Sequence, residues 1–159
     1  MVKRQKYWEV DGLDEDLFAH HEEIDLCWRL QSQGGIVLFT PHSVVYHLGG
    51  GTLDTASSRK TYLNFRNSLL VIFKNVKGWQ AYFVILARLI LDALAVLRFL
   101  IKFQPKHATA VLRAHIGFYR LISSFRVKRQ RWATGLKYFE NGSIVRSYFL
   151  LKKRTFNRL

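Results

Sequence analysis

Three carboxylates lie within four positions of each other in the first part of the chain, at Glu22, Glu23 and Asp25. A histidine, His47, follows them further along, directly before a glycine-rich loop. A carboxylate placed against a substrate hydroxyl can act as a general base. An imidazole together with oxygen ligands can hold a divalent cation. The residue types in positions 20–52 therefore predict one half of an active site.

Short elements must position these groups. The hydrophobic pattern predicts a helix from about residue 22 to residue 33, which ends at a pair of glycines. It is apolar on more than one face, so we expect it to be largely buried. Apolar runs at 36–39 and 44–46 predict two strands, and His47 follows the second strand at the start of the glycine loop.

A plainer interpretation of the acids stays open. Acids in the first turn of a helix are stabilised by the helix dipole by roughly 0.3–1 kcal/mol each, whatever their function. In the same helix, Arg29 is predicted to be an ion-pair partner on the helix surface, and Cys27 a small buried apolar residue rather than a reactive thiol.

The order of the motifs is more specific than the acids alone. The stretch GLDEDLFAHHEEIDLCWRLQSQGGIVLFTPHSVVYHLGGGT, residues 12–52, resembles the C-terminal half of the catalytic domain of family 2 glycosyltransferases. These are inverting enzymes of the GT-A fold, and the likeness is greatest to the bacterial rhamnosyltransferase-like group that builds cell-surface polysaccharides. The resemblance covers about residues 9–75. The matching residues are Gly12, Asp14, Glu15, Phe18, Glu22, Asp25, Leu26, Cys27, Arg29, Pro41, His47 and the Arg66-Asn67 pair.

The resemblance implies a single displacement at the anomeric carbon of a nucleotide sugar. Glu23 stands where the family has the aspartate that acts as general base, so its carboxylate is one methylene longer. Asp25 is then an orienting partner or an acceptor contact. Glu22 takes over as the base if the start of the helix is rotated.

Further roles follow from the same resemblance. His47 matches the family's metal-contacting histidine, and an imidazole suits Mn²⁺ better than Mg²⁺, which prefers oxygen ligands. Gly50 and Gly51 would let the loop close over the donor, with Thr52 near its phosphates. Arg66 is either a diphosphate or acceptor contact, or a structural ion-pair partner.

The sequence lacks the aspartate pair that holds the metal and nucleotide in such enzymes. We therefore expect a fragment that turns over no sugar nucleotide by itself. The fold class expected is α/β: a partial GT-A-type domain of short strands and helices, followed by amphipathic, membrane-facing helices. The expected division places the acceptor-and-base half at 1–75 and a basic helical region at 76–159.

Charge is distributed unevenly along the chain. The formal net charge is +14, yet nine of the eleven acids lie within residues 1–54. A hydrophobic content of 49% excludes a disordered tail, and a single cysteine excludes a disulfide framework. The acidic part is therefore expected to carry the chemistry and the basic part to bind a surface.

The most apolar stretch, residues 79–103, is interrupted by four charges that share one arc of a helix: Arg88, Asp92, Arg98 and Lys102. This pattern favours a helix that lies in a membrane interface over one that crosses it, with burial inside the protein as the alternative. Basic clusters at 126–131 and 152–154 suit an anionic membrane.

The expected partners are a nucleotide-sugar donor, a glycan or lipid-linked acceptor and an anionic membrane surface. The expected location is the cytoplasmic face of the inner (plasma) membrane, peripheral or monotopic. Two other interpretations stay open: a non-catalytic membrane-binding module, and, ranked lower, a basic nucleic-acid-binding protein. No specific nucleic acid is expected.

Overall fold

The computed structural model describes residues 1–46, 57–136, 147, 151 and 152. Five α-helices follow one another: α1 (Arg4–Glu9), α2 (Glu22–Ser32), α3 (Ser58–Asn75), α4 (Gln80–Ile101) and α5 (Pro105–Trp132). A single 3₁₀ turn, Glu15–Leu17, lies between α1 and α2.

The expected α/β fold class is wrong. The described part of the chain holds no strand and no sheet, and its one β-type pairing is an isolated parallel bridge between Val76 and Thr134. Residues 36–39 and 44–46 belong to no strand. A strand is stabilised by its hydrogen-bonded neighbour, and these two runs have none among the described residues. The domain is therefore helical rather than a partial GT-A-type domain.

Helix α2 begins and ends close to where the sequence predicts. Its C-terminus is closed by Gly34, which has φ of 77° and is therefore in the left-handed region that glycine tolerates best. The amides of Gly34 and Gly35 donate to the carbonyls of Gln31 and Leu30, at 3.0 and 2.9 Å. These two bonds form a Schellman motif, which satisfies carbonyls at the helix end.

The interior of α2 differs from the expectation. The fully buried residues of this helix are charged, Asp25 and Arg29, while Ile24 remains 47% exposed. The prediction of an ion pair for Arg29 is confirmed, but its placement on the helix surface is wrong. The buried face of α2 is polar because it meets a lysine and an asparagine of α3.

Helices α3, α4 and α5 form the main layer. Helix α3 lies in the centre: Thr61 near its start contacts His107 at the start of α5, and Phe73 near its end contacts Phe118. The two helices therefore run in the same direction and pack on each other, and α4 runs in the opposite direction against both. The hydrophobic core consists of Leu17, Leu69, Leu70, Val71, Phe73, Ile85, Phe118 and Phe125.

Helix α4 buries one acid, Asp92, and exposes most of its large apolar side chains. Asp92 is 1% exposed, with His115 of α5 at 3.0 Å and Arg88 at 3.2 Å. The opposite face exposes a row of large apolar side chains: Trp79, Tyr82, Phe83, Leu86, Ile90, Leu94, Leu97, Leu100 and Ile101. We call this row the α4 apolar face. Within the described ranges, no helix is long and apolar enough to cross a membrane.

Candidate functional site

The three acids at the start of α2 occupy three different environments. Successive residues of a helix point about 100° apart, so neighbours in sequence do not share a face. Glu23 is exposed, Glu22 is partly buried, and Asp25 is completely buried. One carboxylate oxygen of Glu22, Oε2, is buried without a hydrogen-bond partner among the described residues.

Asp25 is held by ion pairs and hydrogen bonds on both of its oxygens. Its Oδ2 accepts from Arg29 and from Lys74, with the nearest guanidinium nitrogen at 2.7 Å and the lysine Nζ at 2.9 Å. Its Oδ1 accepts from Nδ2 of Asn75 at 2.8 Å. Arg29 also donates to the carbonyls of Val10 and Gly12. Asp25 therefore ties α2 to α3 and, through Arg29, to the segment before α2.

Three further ion pairs extend this arrangement to α5. Lys74 also contacts Asp14 at 2.7 Å, and Lys128 contacts Asp14 at 2.5 Å and Asp16 at 2.7 Å. Burial alone would raise the pKa of Asp14, but the hydrogen bonds and charges of Lys128 and Lys74 outweigh it and the pKa lies below its usual value. Burial alone would lower the pKa of Lys128, yet Asp14 and Asp16 raise it.

Glu23 lies at an open cavity of about 510 Å³. The remaining lining residues are Ile24, Cys27, Trp28, Gln31, Gly35 and Leu136. The described part of the wall is mostly apolar, with a single carboxylate and one amide. An exposed carboxylate beside an apolar wall can accept a proton from a bound hydroxyl, whereas the enclosed carboxylate of Asp25 faces no cavity of this kind.

The residues before α2 are in a constrained conformation. His20 and His21 both have positive φ, at 67° and 72°. Burial is the main cause that lowers the pKa of His21, and Arg88 and His20 lower it further while Glu23 opposes them. The side chain of His20 keeps its Nε2 buried without a hydrogen-bond partner in the described part of the chain.

A clamp from α3 holds this segment in place. The side-chain amide of Asn67 donates to the carbonyls of Leu17, Ala19 and His20, each at 2.8 Å. Arg66 donates to the carbonyls of Asp16 and Leu17 and to the side chain of Asn67. The sequence predicts a role for Arg66 but none for Asn67, although the Arg66-Asn67 pair is among the residues that match the family.

Several candidate residues lie outside the described part of the chain. His47, the candidate metal contact, is among them, and so are Gly50, Gly51 and Thr52. Within residues 1–46 and 57–136, no three histidine, cysteine or acidic side chains are grouped so as to hold a metal ion. The roles implied for the glycine loop and for Mn²⁺ or Mg²⁺ therefore stay predictions.

Most of the basic cluster at 126–131 is engaged within the fold. Besides Lys128, Arg129 donates to the carbonyls of Phe73 and Gly78, and Arg131 lies 2.8 Å from Asp11. Arg126 is exposed and has no ion pair with a described residue. This cluster therefore offers fewer free charges than its sequence suggests.

Comparison with protein-family models, with curated proteins and with solved structures finds no match to this chain. What the geometry offers is an exposed carboxylate, Glu23, at a mostly apolar cavity and beside a segment clamped by α3.

Proposed function

We propose that this chain is the acceptor-and-base part of an inverting glycosyltransferase. Glu23 takes the proton of an acceptor hydroxyl while that oxygen attacks the anomeric carbon of a nucleotide sugar, and the nucleoside diphosphate leaves. The observation that carries the proposal is the position of Glu23, exposed at an open cavity, within the ordered set of motifs from Gly12 to Arg29. The helical fold supplies no argument for it.

The three acids take different parts in this proposal. Glu23 is the base because its carboxylate reaches the cavity. Asp25 keeps the start of α2 in place through Lys74 and Asn75 and touches no substrate. Glu22 is the base in the variant of the proposal in which the helix start rotates. A divalent metal, held in part by His47, would neutralise the leaving diphosphate.

The proposed partners follow from this role. The donor is a nucleotide sugar bound by a further segment that carries the metal-binding aspartate pair, so the chain alone is proposed to be inactive. The acceptor is a glycan or a lipid-linked glycan. The proposed place of work is the cytoplasmic face of the plasma membrane, where the α4 apolar face would rest in the interface.

A genetic test uses the protein in its own cells. Deletion of the coding sequence should remove or shorten a surface glycan, and the intact gene should restore it. Glu23→Gln should fail to restore it, because loss of a general base lowers turnover by about 10²–10⁴-fold. Glu9→Gln changes the same charge on the exposed surface of α1 and should restore the glycan fully.

Three results would contradict parts of this proposal. An unchanged glycan in the deletion strain would remove the function altogether. Full restoration by Glu23→Gln, at normal protein levels, would remove Glu23 as the base. If Glu22→Gln is the inactive variant and Glu23→Gln is active, the base is one residue earlier than proposed.

A second candidate is favoured by one observation. The α4 apolar face exposes nine large apolar side chains, more than a freely soluble surface usually carries in one row. A non-catalytic membrane-binding module would need this face and not Glu23. Complementation of the deletion strain with Glu23→Gln separates the two candidates, since only the first requires the carboxylate of Glu23 for glycan synthesis.

A further inference from the structure

A strongly basic groove lies between α3 and α5, away from Glu23. It consists of two adjoining cavities of about 370 and 460 Å³, which share Tyr62 and Arg113 in their walls. The described residues that line them all belong to α3 and α5. The lining cations are Arg59, Arg66, Lys106, Arg113 and Arg120.

No acid of the described ranges lines either cavity. Among the described residues, no acid forms an ion pair with Lys106, Arg113 or Arg120, although nine ion pairs occur elsewhere in the same ranges. These three side chains are exposed. Cations held close together without counterions repel each other, and an anion that binds between them would relieve that repulsion.

The helix geometry places the three cations in a row. Lys106, Arg113 and Arg120 are seven residues apart, so they recur on nearly the same face of α5 with a rise of about 10.5 Å from one to the next. Arg59 of α3 lines the cavity of about 460 Å³, together with Lys106. Its guanidinium also lies 5.0 Å from the ring of Phe18. A row of this kind suits an elongated anion better than a single compact one.

Hydroxyl groups accompany the cations. Ser58, Tyr62 and Thr109 line the groove, and Gly117 lies under the tip of Tyr62. A Cβ added at position 117 would lie 2.5 Å from the Tyr62 hydroxyl oxygen, so the glycine lets that hydroxyl settle between the helices. Arg66 contributes its stem and the guanidinium that is 5.4 Å from the Tyr62 ring, while its donors are used by backbone carbonyls.

We propose that this groove is a binding site for a diphosphate group, held by Arg113 with Arg120 or Lys106 and by the Tyr62 hydroxyl. Arginine binds phosphate oxygens through two parallel N–H donors, and two linked phosphates reach further along the row than one. The proposal stands on the groove alone. It does not require Glu23 or any turnover, so its failure leaves the proposed function to its own test.

The test measures binding of inorganic pyrophosphate to the whole chain by calorimetry. Arg113→Gln with Arg120→Gln should weaken binding by about tenfold or more, because two charge-assisted contacts are lost. The matched control, Arg4→Gln with Arg98→Gln, removes the same charge from exposed positions of α1 and α4 and should change affinity by less than about threefold.

Selectivity and fold are measured on the same samples. Orthophosphate should bind at least about tenfold more weakly than pyrophosphate, because it reaches fewer of the donors. Arg113→Lys with Arg120→Lys keeps the charge but removes the paired N–H donors of the guanidinium. Its affinity for pyrophosphate should therefore lie between those of the native chain and the glutamine variant. Helical circular dichroism should be equal for all variants, because the changed side chains are exposed.

Two further probes identify the source of the diphosphate. Tighter binding of geranyl diphosphate than of uridine diphosphate indicates a lipid-linked ligand, the reverse order indicates a nucleotide, and equal affinities indicate that the diphosphate alone is recognised. Absence of pyrophosphate binding would overturn the proposal. Equal losses in the glutamine and control variants, or equal affinities for orthophosphate and pyrophosphate, would overturn it too, because net charge would then explain the binding.

Discussion

Asp25 is the buried carboxylate through which α2 contacts α3. A carboxylate this deeply enclosed is tolerated because both of its oxygens have partners, from Arg29, Lys74 and Asn75. Removing one member of such a group leaves an uncompensated buried charge, which costs more than the intact group contributes. Glu23, two positions before Asp25, is exposed and takes no part in this buried group, so the two acids differ in what they contribute to the fold.

This separation gives a prediction on stability. Lys74→Met should lower the free energy of unfolding by about 3–5 kcal/mol, since Asp25 and Asp14 would each lose a buried partner. Glu23→Gln should change it by less than about 0.5 kcal/mol, as is usual for exposed substitutions. Urea denaturation followed by circular dichroism measures both. A large loss of stability in Glu23→Gln would mean that its carboxylate is structural.

The ion pairs of Asp14 and Lys128 predict a dependence of stability on pH. The pKa of Asp14 is lowered in the folded chain, so its contribution is complete above about pH 3.9, the unfolded value, and is lost as the pH falls through the folded pKa. The pKa of Lys128 is raised, so its contribution is complete below about pH 10.4 and is lost as the pH rises through the folded pKa.

Asp14→Asn tests the acid side of this dependence. The variant should be less stable at neutral pH, and it should lose less stability than the native chain between about pH 4 and pH 2. Glu15→Gln removes an exposed neighbouring acid and should keep the native pH profile. Denaturant midpoints across this range provide the measurement. Identical acid profiles for the native chain and Asp14→Asn would show that other acids govern acid unfolding.

At the scale of elements, the helices were more predictable than anything between them. The hydrophobic pattern and the pair of glycines that follows it locate α2 to within a residue or two, because these signals are local in the sequence. The two strand predictions at 36–39 and 44–46 are wrong. A short apolar run shows only a local preference, and the ladder partner that a strand needs cannot be read from the run itself.

The candidate site residues also differ in how far their environments could be predicted from the sequence. Glu23 and Asp25 lie in the same first turn of α2, yet the first is exposed and the second is completely buried. The burial of Asp25 could not be predicted, because its partners Lys74 and Asn75 are about fifty positions away and lie in a different helix. The Asn67 clamp was missed for the same reason, since its three carbonyl partners carry no side-chain signal in the sequence.

The clamp predicts an effect on the site through α3. Asn67→Leu keeps the size of the side chain but removes its donor, so the carbonyls of Leu17, Ala19 and His20 lose a partner. Each buried carbonyl left unsatisfied costs about 1–3 kcal/mol. Hydrogen exchange should therefore rise in residues 17–22 more than in α4. Unchanged exchange in this segment would mean that the histidine turn is held by other contacts.

At the scale of the whole molecule, α4 joins two surfaces of opposite character. Its inner face brings Asp92 to His115 and Arg88, and its outer face is apolar over most of its length. The charges that the sequence placed in one polar stripe therefore divide: Arg88 and Asp92 pack toward α3 and α5, while Arg98 is exposed. An exposed apolar row beside a basic α5 is the arrangement expected of a helix that rests on an anionic membrane.

Membrane binding should separate into two parts. The α4 apolar face supplies burial at about 25 cal/mol per Å² of apolar surface removed from water, which salt does not screen. Free cations such as Arg126 supply attraction to anionic lipid, at about 1 kcal/mol for each residue near the surface. The chain should therefore bind anionic liposomes, and high salt should weaken this binding without abolishing it.

Substitutions on the two surfaces test these parts independently. Leu86→Ser with Leu94→Ser should abolish the salt-resistant part, and since both side chains are more than half exposed, the fold should keep its stability. Arg126→Glu should reduce only the salt-sensitive part; Lys128, Arg129 and Arg131 are unsuitable because they hold the fold together. The control, Val2→Ser with Leu13→Ser, changes exposed apolar residues far from α4 in sequence and should leave liposome sedimentation unchanged. Complete release of the native chain by salt alone would show that the α4 apolar face does not enter the lipid.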